Sequence, residues 1–366
     1  MVLLFDNCHL QREIFIMEKK SVQVTFADVM GICDAKEHID CSNKGLTSLS
    51  GCPEKVKDFN CSGNKLTTLE GAPKKIKGDF NCSRNLLQSL DGAPEEVHGD
   101  FDCSDNRLTS LDGGPVFVMG DFSCAGNQLT SLRGELGDAN LAACPQVIEG
   151  DFNCSRNKLT TLDGAPHVVG GNFDCSDNQL ATLKGAPKKI HGDLDCSNNQ
   201  LTSLDGAPYC IAGDFSCPGN QLTSLKGGVR EVSGSVDCSD NQLTSLLWSQ
   251  KKVNGIFDCS GNRLTSLKGA PEEVNAFLCY GNQLTSLKGA PDKVKGHFDC
   301  SGNQLISLEG APKNVKGNFN CSGNQLSALD GTLKKVGGDF ICLKNCHPFD
   351  DAKVRSAYTV KGNCIS

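Results

Sequence analysis

The stretch Ile148-Glu149-Gly150-Asp151-Phe152-Asn153-Cys154-Ser155-Arg156-Asn157-Lys158-Leu159-Thr160-Thr161-Leu162-Asp163-Gly164-Ala165-Pro166 decides the fold, because its pattern returns along most of the chain. Cysteine sets the register. Fifteen cysteines, from Cys41 and Cys61 through Cys321 and Cys342, stand in step. The step is 21 residues in eleven of fourteen intervals, 20 in two and 30 in one. The common pattern is Val-x-Gly-Asp-Phe-x-Cys-Ser-x-Asn-x-Leu-Thr-Ser-Leu-x-Gly-Ala-Pro-x-x. Phe stands two before Cys in twelve of fifteen copies, and Asn three after it in fourteen. Leu follows at plus five and plus eight in fourteen, and the last copy breaks there, at His347 and Asp350.

A fixed short period marks a solenoid, in which each unit buries its apolar edge only against its neighbours. The pattern resembles the leucine-rich repeat, L-x-x-L-x-L-x-x-N-x-L, with Phe at the second leucine position and Cys at the third. The period and the Leu-Thr-Ser-Leu-x-Gly-Ala-Pro segment look most like the short bacterial subtype of type III secreted effectors and phage-encoded repeat proteins. The resemblance spans residues 38–346. It implies a β-rich horseshoe of about 15 coils, with short parallel strands on a concave face and a non-catalytic role in binding proteins in a bacterial or phage cytoplasm.

The residues support the same architecture on their own. Phe-x-Cys alternates like a strand, so Phe80 and Cys82 point inward while Asp79, Asn81 and Ser83 point outward. Proline in Gly-Ala-Pro disfavours helix before it, so the opposite side of each coil is expected to be extended or polyproline-like. The Asn column is expected to satisfy backbone groups of adjacent coils. The two 20-residue steps lack the Gly before Asp-Phe, at Val56-Lys57-Asp58-Phe59 and Val274-Asn275-Ala276-Phe277. That Gly reads as an inserted bulge residue with positive φ.

The chain holds 22 cysteines, and the ladder positions read as small buried hydrophobes. Stacked neighbours lie one strand spacing apart with parallel Cβ vectors, which suits neither a disulfide nor a tetrahedral metal site. Reduced thiols fit a cytoplasm. Cys346, His347 and Cys364 are candidates for a terminal tie by zinc or a bridge, although their spacing matches no standard zinc pattern.

The ends depart from the repeat. Residues 17–37 read as an N-terminal cap, with a strand over Ser21–Phe26 and a short helix over Ala27–Lys36. Residues 347–366 read as a C-terminal cap helix and tail, with the helix over Pro348–Tyr358. Met17 is an alternative start, which would leave 1–16 as a disordered leader. The 30-residue step carries an insertion near 134–144. Trp248, the only tryptophan, replaces part of a Gly-Ala-Pro segment and is read as filling a packing gap, with a partner anchor as the alternative.

Function in such a scaffold is expected on the outward strand positions. The column between Phe and Cys is rich in acid, including Asp174, Asp195, Asp237, Asp258 and Asp299. An acidic face suits a basic protein partner. Ile256, Ala276, Leu278 and Tyr280 break the polar rule within two adjacent coils and form a candidate docking spot. With 36 basic against 43 acidic residues, net charge -7, a nucleic-acid footprint is not expected. No apolar run approaches the ~18 residues of a membrane span. The sequence offers no catalytic constellation, cofactor motif or metal motif, so the expectation is a non-enzymatic, cytoplasmic monomer without cofactor. The alternative is a structural or surface-exposed repeat component, such as a virion or adhesin spacer.

Overall fold

The computed structural model describes residues 23–31, 37–134, 144–248 and 250–366. The leader 1–16, most of the insertion near 134–144, and Cys8 and Cys33 lie outside the described residues. One side of each coil contributes a strand to a sixteen-stranded parallel sheet, running from His38–Asp40 to Cys364–Ile365. Register keeps like columns together, with Phe152 opposite Phe173 and Asn153 opposite Asp174. The extended side expected from the prolines resolves into a second ladder of two-residue strands. Nine of them pair from Lys55–Val56 to Glu231–Val232, and five more from Glu273–Val274 to Thr359–Val360.

Between the two ladders the apolar columns are buried in continuous stacks. Phe80 and Phe101 lie ring on ring, centroids 5.7 Å apart and 8° between planes. Phe26 closes one end of the aromatic stack against Phe59, and Tyr358 closes the other against Phe340. Each such ring contributes about 1.5–3 kcal/mol of burial. Where Leu194 and Val236 replace Phe, the stack thins. Trp248 packs against the core nearby, its ring 5.9 Å from Phe257 and its indole N–H donated to the Val229 carbonyl at 2.8 Å. Trp248 is therefore a packing residue.

The Asn column stitches coil to coil. Asn178 Nδ2 donates to the carbonyls of Cys154, Cys175 and Ser176 at 3.0–3.2 Å, and its Oδ1 accepts the N–H of Leu159. The ladder thiols are fully enclosed, and several donate to a carbonyl one coil on, as Cys238 does to Asp258 at 3.1 Å. No ladder cysteine is joined in a disulfide. Burial is the main force pushing these thiols up, Cys41 to about 12.

The glycine before Asp-Phe is not a positive-φ residue. None of Gly78, Gly99 or Gly150 has left-handed backbone. It is glycine because adjacent coils touch there: a Cβ on Gly99 would lie 2.2 Å from Asp79 Oδ1 and 2.6 Å from the Gly78 carbonyl carbon. Left-handed backbone falls instead two residues after every ladder cysteine. Gly63, Asp105 and Asn198 stand there, but so do Arg84 and Lys344, all with φ between 52° and 67°.

Both caps differ in detail from expectation. Thr25 bridges to Ser48 and N-caps a helix over Phe26–Met30, with a reciprocal capping box to Asp28. Residues 17–22 and 32–36 lie outside the described residues. The C-terminal helix covers Asp351–Ala357, N-capped by Asp350, and its Arg355 donates to the Val360 and Gly362 carbonyls. The tail then returns to both ladders. Val360 pairs with Val336 and Ile365 with Ile341.

Candidate binding face

The open face of the sixteen-stranded sheet is built from three outward columns. The first, before Phe, is mostly Asp. The N–H of Asp79 donates to Asp58 Oδ1 at 3.0 Å, that of Asp100 to Asp79 at 2.9 Å, and that of Asp121 to Asp100 at 2.8 Å. Each carboxylate caps the strand entry of the next coil, so this column is structural. Asn172 and Asn318 play the same part, which shows that an acceptor is needed and a charge is not.

The second column, between Phe and Cys, holds the acidic residues singled out from the sequence. In each of Asp174, Asp195, Asp237, Asp258 and Asp299, Oδ1 accepts the N–H of the residue two ahead at 2.9 Å, forming an Asx turn. Asn81 and Asn153 make the same turn. The fold is thus indifferent to charge here, and charge in this column is a property of the surface. Asp174 pairs in register with Asp195, and Asp237 with Asp258. Asp258 is held above the usual carboxylate range chiefly by burial. Hydrogen bonds from Ser260 oppose this shift, while Asp237 and Asp240 add to it.

The apolar spot sits where the first column is interrupted. Its acceptor chain passes from Asp214 to the Ser235 N–H, and Ser235 Oγ then accepts the N–H of Ile256. The next coil lacks the glycine, so its strand begins one residue earlier and Ala276 pairs directly with Ile256. Strand pairing takes the place of a side-chain acceptor at Ile256, and an apolar residue is free to stand there. Ile256 is 41% and Tyr280 43% exposed, and Leu278 is half-buried between Asp258 and Asp299. Ala276 is a correction to the sequence reading. It is only 6% exposed, because the shortened entry draws it into the ladder, and it adds nothing to the exposed spot.

Sequence reasoning missed Ile341 and Leu343, which occupy the same outward columns in the last repeat; Leu343 is exposed. Comparing those columns coil by coil to the end would have found them. At the terminus Cys346 and His347 are exposed and Cys364 is half-buried. Among the described residues no group of three or more His, Cys, Asp or Glu side chains is placed to hold a metal ion. Among them, too, no helix is long and apolar enough to cross a membrane.

No family model and no curated protein matches the sequence. Solved structures do. A leucine-rich effector protein, YopM of Yersinia pestis, superposes with TM-score 0.56 at 20% identity, over 89% of this chain and 88% of that one. YopM of Yersinia enterocolitica gives TM-score 0.44 at 20% identity, over 84% of this chain and 78% of that one. The functional domain of InlJ from Listeria monocytogenes, described as including a cysteine ladder, gives 0.46 at 19% identity, over 78% and 68%. The similarity to the Yersinia pestis protein is one of fold, and it agrees with the repeat, the register and the Asn ladder: the chain is a leucine-rich repeat solenoid.

Proposed function

We propose that the protein is a non-catalytic scaffold that binds a protein partner on the open face of its sixteen-stranded sheet. The observation that carries this reading is the trio Ile256, Leu278 and Tyr280. It forms an apolar spot on a face whose outward columns are mostly carboxylate, carboxamide and hydroxyl, apart from Ile341 and Leu343 at the far end. Clustered apolar side chains with a polar rim are the usual centre of a protein interface. The rim here is acidic, with Asp237 and Asp258 on one side of Leu278 and Asp299 on the other. A fitting partner segment carries an apolar side chain flanked by Lys or Arg, whose cations also relieve the crowding of neighbouring carboxylates. Asp174 and Asp195 extend the acidic track beyond Ser216.

The test is capture of partners from a bacterial lysate by wild type and by a Leu278→Asp/Tyr280→Ser variant. Both substitutions restore the ordinary residue of their column, so the variant is expected to fold. Loss of a saturable, salt-sensitive partner supports the reading. Undiminished capture by a variant with wild-type melting removes it.

A further inference from the structure

We propose that the protein also self-associates, as a twofold dimer formed through the outer face of its nine-stranded sheet. Each strand of that sheet ends on a buried aliphatic residue, such as Ile76, Val97 or Ile190, and all but one turn the residue before it to solvent, Cys210 being half-buried. Toward one end those outward residues are Lys55, Lys75 and Glu96, and toward the other they include Lys189 and Glu231. In the middle, three consecutive coils carry Phe117, Val147 and Val168 instead, all exposed, Val147 at 52%. The pairings of Val118 with Ile148 and of Val147 with Val168 make this one continuous stripe. Val116, 66% exposed, and Met119 widen it on either side. A contiguous apolar patch of this kind marks a surface that is covered in use.

The charges around the stripe identify the cover. Val147 is its centre. A twofold axis laid along that strand reverses the order of coils in the second copy and sets each column against itself. Phe117 of one copy then faces Val168 of the other. Two coils out, Glu95 and Glu96 face Lys188 and Lys189. Four coils out, Glu54 faces Arg230 and Lys55 faces Glu231. All four of these pairs are opposite in sign, although the axis was placed by the apolar residues alone; three coils out, Lys74 and Lys75 face the uncharged Tyr209 and Cys210. None of these eight side chains forms an ion pair among the described residues of its own chain. Glu149 meets its own copy beside the axis, the one carboxylate encounter in the contact. An unrelated partner would leave no such mirrored pattern in this chain, whereas an isologous contact requires it.

The face is narrow. Nine strands at ~4.8 Å spacing and three residues of width give roughly 400 Å² per copy. A standard interface buries about 800 Å² per partner, so the dimer is weak and its formation depends on concentration. The monomer expected from the sequence is the species at low concentration.

Sedimentation velocity of the full chain, across the micromolar range at low and high salt, tests this. Wild type is expected to shift from monomer to dimer, less readily at high salt. Phe117→Glu/Val168→Glu, which places a charge already found in that column, is expected to stay monomeric with unchanged melting. Glu95→Lys/Glu96→Lys and Lys188→Glu/Lys189→Glu should each weaken self-association by about tenfold or more. Mixed together, the two charge variants should pair with each other as tightly as wild type does, because both contacts are then opposite in charge. A wild-type chain that stays monomeric throughout overturns the proposal. So does a dimer that survives the Phe117/Val168 change, or a mixture that does not recover.

Discussion

The carboxamide of Gln250 pairs with both backbone groups of Val232: Oε1 accepts its N–H and Nε2 donates to its carbonyl, each at 2.8 Å. Val232 belongs to the last strand of the nine-stranded sheet, and the coil that follows contributes no strand there. A side chain thus takes the place of the missing neighbour. Gln250→Ala leaves both groups without a partner and should cost about 2 kcal/mol. Gln250→Glu keeps the acceptor, loses the donor and should fall between. Urea titration gives the order, and amide exchange at Val232 locates the effect. Equal stability of all three proteins would refute the assignment.

Asn178 is expected to be less tolerant. Asn178→Leu orphans the Leu159 N–H and removes the donor shared by the Cys154, Cys175 and Ser176 carbonyls. The site is buried, so the loss should be about 3 kcal/mol or more, with the larger size of leucine adding strain. A change below half that in equilibrium unfolding would mean that water replaces the amide.

At Gly99 the close approach can be tested with a single methyl group. Gly99→Ala places Cβ against Asp79 Oδ1 and the Gly78 backbone, and overpacking of this kind costs about 1–3 kcal/mol. Adding Asp79→Ala to Gly99→Ala removes the side-chain obstacle only. The double variant should remain less stable than Asp79→Ala alone, since the backbone contact persists.

The thiols should divide by position. Enclosed ladder thiols are held well above the ordinary thiol range, and even at the stack ends Cys41 sits at about 12 and Cys342 at about 11. Thiolate is the reacting form, so among the described cysteines native protein at pH 8 should modify at Cys346 first, then at half-buried Cys52, Cys210 and Cys364. The ladder should react only on unfolding. Mass mapping after a short pulse of thiol reagent checks this, and early labelling of Cys175 or Cys238 would contradict it.

Asp258 gives a pH dependence with a definite sign. Its folded-state carboxyl is raised, so the native chain holds that proton more tightly than the unfolded chain does. The resulting stabilisation is present at low pH and is lost as pH rises through the folded value. Asp258→Asn keeps the Oδ1 acceptor that Asn81 supplies in its own coil, and sheds the charge. Its melting temperature should exceed that of wild type at pH 7. The two should converge as pH falls below about 3.8, the ordinary value for Asp. The same substitution should weaken capture of a basic partner.

Periodicity made the solenoid legible without coordinates. Phe-x-Cys at a constant step can bury its inward side only against its own copies, and the Asn column follows from the backbone groups such stacking would orphan. The candidate face was half legible, since Ile256, Leu278 and Tyr280 stand out against their columns. Contacts between coils decided the rest, because a repeat pattern lists what recurs but not what each copy touches. Asp79 proved to be a strand cap, Gly99 a close contact rather than a turn, and Ala276 a buried residue of a shortened strand. Gln250 stood in for a strand, and Phe117, Val147 and Val168 met on one surface. Those outcomes depend on distances of a few ångströms between residues about twenty positions apart, which stacking alone brings together.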